Sequence, residues 1–121
     1  MKTITIKDDQ KLSEVKDAFN AKFPHLKIEF YKGSHEENEG SGKKELLDDS
    51  LYLRDIRSNH AEGELSVDGH LKTSSFEQNF MDHYGVNVQV FRKSGNLWLQ
   101  TIATDNWTLA EQEKEAQAFE R

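Results

Sequence analysis

The residues best equipped for acid–base or metal chemistry are five histidines, His25, His35, His60, His70 and His83. A metal site draws two or three such ligands from fixed local spacings or from convergence in space. The chain contains no HxH, HxxxH or HExxH run, and the nearest approach is HEENE at His35 to Glu39. Cysteine is absent, which removes disulfides, thiolate nucleophiles, cysteine-ligated zinc and iron–sulfur clusters together. Serine nucleophiles need a base and a strained elbow, and Gly33-Ser34-His35 and Gly40-Ser41-Gly42 resemble that arrangement only in composition. Gly40-Ser41-Gly42-Lys43-Lys44 lacks the full spacing of a phosphate loop. The carboxylate pairs Asp8-Asp9, Glu36-Glu37 and Asp48-Asp49 fall in turn or loop segments, where mutual repulsion favours solvent exposure. These residues assign no catalytic group, no metal and no cofactor.

Binding chemistry is better represented. Arg92-Lys93, Lys32 and Lys43-Lys44 are the basic concentrations; they suit an anion near a turn, or solvated cations that discourage edge-to-edge strand pairing. The aromatic and apolar residues Tyr31, Phe91, Trp98 and Ile102 fall on alternating positions that share one sheet face. Aromatics on an open sheet can stack nucleic-acid bases or meet a protein partner.

The elements that position these groups are clearest from Tyr84 to Trp107. Val86-Val88-Val90 and Leu97-Leu99 alternate on either side of Lys93-Ser94-Gly95-Asn96, the pattern of a β-hairpin. Upstream, Phe76, Phe80 and Tyr84 recur at helical spacing up to Gly85, with Thr73 or Ser74 as the expected cap. Downstream, Thr108-Leu109-Ala110-Glu111 has the form of a capping box and predicts a helix over 108–119.

Near the N-terminus, Thr3 to Lys7 predicts a strand with Ile4 and Ile6 inward. Leu12, Val15, Phe19 and Phe23 predict an amphipathic helix that Pro24 stops. Leu26, Ile28 and Phe30 predict the next strand, and Glu64 to Asp68 a further one carrying Leu65 and Val67. Residues 33–60 read as an irregular excursion whose first part, 35–44, is a charged Gly/Ser-rich loop. Over Leu46 to Arg57, Ser50 is expected to cap a short helix holding Leu53 and Ile56, with a brief strand over Leu51-Tyr52-Leu53 as the alternative.

The two strand–helix–strand stretches share a pattern. Val15, Phe19 and Phe23 correspond to Phe76, Phe80 and Tyr84, and Pro24 to Gly85 as the breaker. Two such halves predict one α+β domain over 1–121: a ferredoxin-like βαββαβ antiparallel sheet, extended by a C-terminal β-strand and an additional α-helix. The strand order would be 4-1-3-2, with the hairpin partner beyond strand four. Leu97 and Leu99 are expected inward with the other apolar positions. On the opposite face lie Tyr31, Asn87, Gln89, Phe91, Trp98, Gln100 and Ile102, and the C-terminal helix is expected to close over it through Leu109 and Phe119.

Charged residues form 31% of the chain and the formal net charge is −6, with pI near 5.3. That balance sets nucleic acid and anionic membranes aside as first-choice partners. The first residues lack the apolar core of a signal peptide, and no run approaches the ~18 apolar residues of a membrane span. Together with the missing cysteine, this gives the expectation of a cytoplasmic protein.

The run VQVFRKSGNLWL, Val88 to Leu99, followed by T-D-x-W-T-L-x-E-Q, Thr104 to Gln112, resembles a segment of a family of small, uncharacterised bacterial cytosolic proteins. The resemblance covers the C-terminal third of the chain and the helix before it, and implies no activity. Three functions remain, in order. The first is a non-enzymatic protein-binding or regulatory domain, with self-association through a strand edge as one form. The second is a small-molecule-binding protein or enzyme with a pocket between the sheet and the 34–57 excursion, using Arg54, His60 or Tyr52. The third is single-stranded nucleic-acid binding. The candidate binding residues are Tyr31, Phe91, Trp98, Ile102, Arg92, Lys93, Arg54 and His60.

Overall fold

A computed structural model describes residues 2–32 and 46–118. Its elements run β1 (Thr3–Ile6), α1 (Leu12–Lys22), β2 (Leu26–Tyr31), α2 (Leu53–Ile56), β3 (Gly63–Ser66), α3 (Thr73–Tyr84), β4 (Asn87–Ser94), β5 (Leu97–Gln100) and α4 (Leu109–Ala118). Local chemistry sets most of these ends. Pro24 cannot continue α1, and Asn20 ties the exit to β2 by donating from its amide to the Leu26 carbonyl at 2.9 Å. Gly85 ends α3 at φ 68°, a left-handed backbone that a side chain would strain. At α4, Thr108 N–H donates to Glu111 Oε1 at 2.8 Å and Glu111 N–H to Thr108 Oγ1 at 3.1 Å. The reciprocal box expected from Thr-x-x-Glu is present.

The architecture is α+β, with two antiparallel sheets, β1–β3 and β2–β4–β5, and four helices among the described residues. The β1–β3 neighbour relation is the one contained in the order 4-1-3-2. The β2–β4 pair is not: it runs from Leu26 against Arg92 to Tyr31 against Asn87 and joins strands that this order holds at opposite edges. Alternation fixes which side chains share a face and leaves the choice of neighbour open, so sequence pattern alone could not decide this pairing.

Helix α1 packs on β1 and β2, and α3 on β3 and β4. The two phenylalanine repeats meet in the core. Phe19 lies 5.1 Å from Phe76 between ring centroids, Phe76 5.9 Å from Phe80, and Phe80 5.9 Å from Phe30 and 6.3 Å from Tyr84. Ile4, Ile6, Val15, Ile28, Leu65, Val67, Val86, Val88 and Val90 complete this buried cluster as expected, and Leu12, Leu26, Leu53 and Leu109 join it.

Three expectations are corrected. Leu97 and Leu99 are exposed, at 66% and 39%: α4 packs chiefly on β4 and β2. The short helix α2 begins after Tyr52, whose N–H donates to Asp55, while Ser50 instead binds Asp48. Thr73 is the first residue of α3 and turns its hydroxyl to the Trp107 carbonyl at 2.9 Å. Phe119 and the loop over 35–44 lie outside the described residues.

Candidate interaction edge

The β4–β5 hairpin closes on two residues, Gly95-Asn96, with Gly95 at φ 61° supplying the left-handed backbone such a loop requires. Phe91 pairs with Gln100, Arg92 with Leu99, Lys93 with Trp98 and Ser94 with Leu97. One pair further on, Thr101 N–H donates to the Val90 carbonyl at 3.3 Å. Hydrogen-bonded and non-bonded pairs alternate along an antiparallel ladder. Leu97 and Leu99 therefore turn their backbone groups toward β4, and Trp98 and Gln100 turn theirs away from it. No described strand lies beyond β5, so the amides and carbonyls of Trp98 and Gln100 line an open edge.

Leu97, Trp98 and Leu99 on β5 are exposed; Ile102, expected on the strand, lies past its end at Gln100 and is exposed at 41%. From Gly95 to Thr104 the chain has no ionisable residue. Natural edge strands are usually blunted by Lys, Pro, bulges or covering elements; β5 itself carries none of these.

Behind the edge, Phe91 and Trp98 share a sheet face with Lys27. The Lys27 ammonium stands 5.4 Å from the Phe91 centroid and 5.0 Å from the Trp98 centroid, while also pairing with Glu29 at 3.0 Å. A cation held over two rings occupies the surface that a stacked base would need. Toward β2 the same face closes: Tyr31, Asn87 and Gln89 are buried, Gln89 at 1%. Burial pushes the Tyr31 hydroxyl pKa up, and a hydrogen bond with Gln100 partly offsets this. The open aromatic platform reduces to Phe91 and Trp98.

The C-terminal helix does not close this face. Gln112 of α4 accepts a 2.7 Å bond from Arg92, which lies on the Val88–Val90 side of β4 by alternation. Leu109 enters the main core. Glu113 fixes α4 to the turn before β2, accepting from His25 N–H at 2.9 Å and lying 2.6 Å from His25 Nδ1. Arg92 also stacks on Trp107 at 5.3 Å and reaches Thr104. Lys93 is exposed.

The remaining expected residues do not converge. Arg54 is exposed and stacks on Tyr52 at 4.5 Å. His60 belongs to a different cluster: its Nδ1 lies 2.7 Å from Asp8 Oδ2, and Asp8 Oδ1 accepts from Arg57 Nη2 at 2.7 Å. The Arg57 side chain is fully buried and also donates to the Tyr84 carbonyl at 3.0 Å. The Arg57 hydrogen bond, reinforced by His60, holds the Asp8 carboxyl below its usual range. An open hollow of about 430 Å³ is lined by Lys32, Leu46, Leu47, Leu51, Asp55 and Ile56; Arg54, His60 and Tyr52 are not among its lining residues. Among the described residues, no group of three His, Asp or Glu side chains is placed to hold a metal ion, and no helix is long and apolar enough to cross a membrane.

Arg57 and Glu77 escaped the sequence reading. Glu77 is buried on α3, where its Oε2 accepts from Val90 N–H at 2.9 Å and lies 3.3 Å from Gln89 Nε2. It thereby takes up the β4 amide left over where β5 pairing stops. Burial pushes its pKa up to about 8, against the Val90 hydrogen bond, with the Asp105 charge adding to the rise. Spacing held one clue: Glu77 stands four residues after Thr73 and seven before Tyr84, on the flank of the apolar stripe.

No family model, curated protein or solved structure matches this chain.

Proposed function

We propose that this chain is a non-enzymatic protein-binding or regulatory domain that receives an extended segment along β5. The observation that carries the reading is the open edge at Trp98 and Gln100, flanked by exposed Leu97, Leu99 and Ile102 without a charge from Gly95 to Thr104. Strand addition of this kind draws affinity from main-chain hydrogen bonds and selectivity from alternate side chains. The β1–α1–β2 and β3–α3–β4 halves are consistent with a variant of the split-βαβ plan, a scaffold that implies no particular activity. A cytoplasmic setting, and kinship with the small bacterial cytosolic proteins that share the Val88–Gln112 pattern, belong to the same proposal.

A library of displayed ten-residue peptides, selected on the intact protein, tests it. Selected peptides should alternate apolar residues, protect the Trp98 and Gln100 amides from hydrogen exchange, and lose at least about tenfold in affinity on Trp98→Ala. Peptides that bind without protecting those two amides would overturn the reading.

A second reading rests on the hollow at Leu46, Leu47, Leu51 and Ile56, whose volume lies within the range of small-molecule sites. It predicts that an environment-sensitive apolar dye is displaced from the native chain by a small ligand and binds Leu51→Lys weakly.

A further inference from the structure

We propose that the segment received by β5 is the β5 of a second copy of this chain, paired antiparallel about a two-fold axis through Leu99. This rests on the open-edge reading above and commits it to one occupant.

The edge is complementary to itself. Outward backbone groups alternate with inward ones, and Trp98 and Gln100 are the outward pair. A two-fold at Leu99 sets Trp98 opposite Gln100 of the second copy, and Gln100 opposite its Trp98. Each of these pairs exchanges both of its hydrogen bonds. Leu99 then faces its own copy in a non-bonded pair, the closer of the two spacings, at about 4.5 Å between Cα atoms. The two β2–β4–β5 sheets become one continuous sheet.

Electrostatics permit this in a chain of net charge −6. The pairing strand is uncharged from Gly95 to Thr104, so no like charges meet at the seam. Arg92 and Lys93 stand one strand back on β4. The two β4 strands would be three strand spacings apart, about 14 Å, beyond the Debye length of about 8 Å at physiological salt. Lys27, whose ammonium stands 5.0 Å from the Trp98 ring of the edge strand, is already paired with Glu29 at 3.0 Å.

The side chains set the strength. Leu97 and Leu99 on one face of β5, Trp98 on the other and Ile102 past its end together expose on the order of a few hundred Å² of apolar surface. Two copies of that surface fall below the ~1,200 Å² of a stable interface. The assembly is a reversible dimer whose population follows concentration.

Sedimentation of the intact chain from about 10 μM to about 1 mM tests this, since a sub-standard interface associates in that range. The mass should rise from 14.0 kDa toward twice that value. Leu99→Lys and Leu99→Glu should each remain monomeric, and an equimolar mixture should regain a dimer, because the axis sets residue 99 opposite itself. Leu99 is exposed on the edge, and circular dichroism of each variant at high concentration verifies the fold. A chain that stays monomeric at about 1 mM, or a dimer that both single variants leave intact, overturns the pairing. In that case, selected peptides that still protect Trp98 and Gln100 would leave the open-edge reading standing with a foreign strand as occupant. Absence of both dimer and edge-protecting peptides removes the two together.

Discussion

Glu77 shows how one buried side chain can set the pH response of the molecule. Its folded pKa of about 8 lies above the ordinary carboxyl value of 4.5, so the native state holds this proton more tightly than the unfolded chain. The stabilisation is complete below about pH 4.5 and is lost as pH rises through about 8. Asp8 works in the opposite direction: its lowered pKa stabilises the fold above the ordinary aspartate range, and that contribution disappears as acid protonates it. Stability should therefore peak near pH 5 and fall toward pH 8.5 by on the order of 4 kcal/mol. Glu77→Gln keeps an oxygen for the Val90 amide and removes the titration. Urea midpoints should fall between pH 5 and 8.5 in the native protein and stay nearly flat in the variant. An unchanged slope would place the titration elsewhere.

At the scale of elements, α4 depends on its first turn and on two polar anchors. Thr108 and Glu111 satisfy each other's backbone N–H groups, Gln112 binds Arg92, and Glu113 binds His25. Thr108→Ala removes an acceptor from an otherwise unpaired helix donor and should cost about 1 kcal/mol. Thermal unfolding of the variant checks this; no shift would mean the helix start is held by Leu109 burial alone. The hairpin shows how much of an element the sequence can specify. Gly95-Asn96 and the flanking alternation identified both strands and the turn, and the periodicities of α1 and α3 identified their buried faces. Alternation could not say whether a face would be covered. Leu97 and Leu99 follow the same rule as Val88 and Val90, yet only β4 lies beneath a helix.

Over the whole molecule, the two similar halves share one aromatic core through Phe19, Phe76, Phe80 and Phe30. A shared core couples their unfolding. Phe76→Ala, at the contact between α1 and α3, should cost about 3–5 kcal/mol. It should shift the denaturation curves from circular dichroism and tryptophan fluorescence by the same amount. Separated transitions would show that the halves unfold independently.

The sequence by itself determined the α+β class, the described elements other than α2 to within a few residues, and most of the core, while it left the stretch holding α2 open between a short helix and a strand. It could do so because helical and strand periodicities, Pro24, Gly85 and Gly95 are local signals. Only the tertiary structure decided that β2 pairs with β4, that α4 lies on the Arg92 side of the sheet, and that Arg57 and Glu77 are buried. It also decided that β5 is the outermost described strand of its sheet. Those outcomes depend on which surfaces compete for the same neighbour, and a charged residue becomes a core residue only when its partner arrives from elsewhere in the chain: Asp8 for Arg57, and the unpaired amide of Val90 for Glu77.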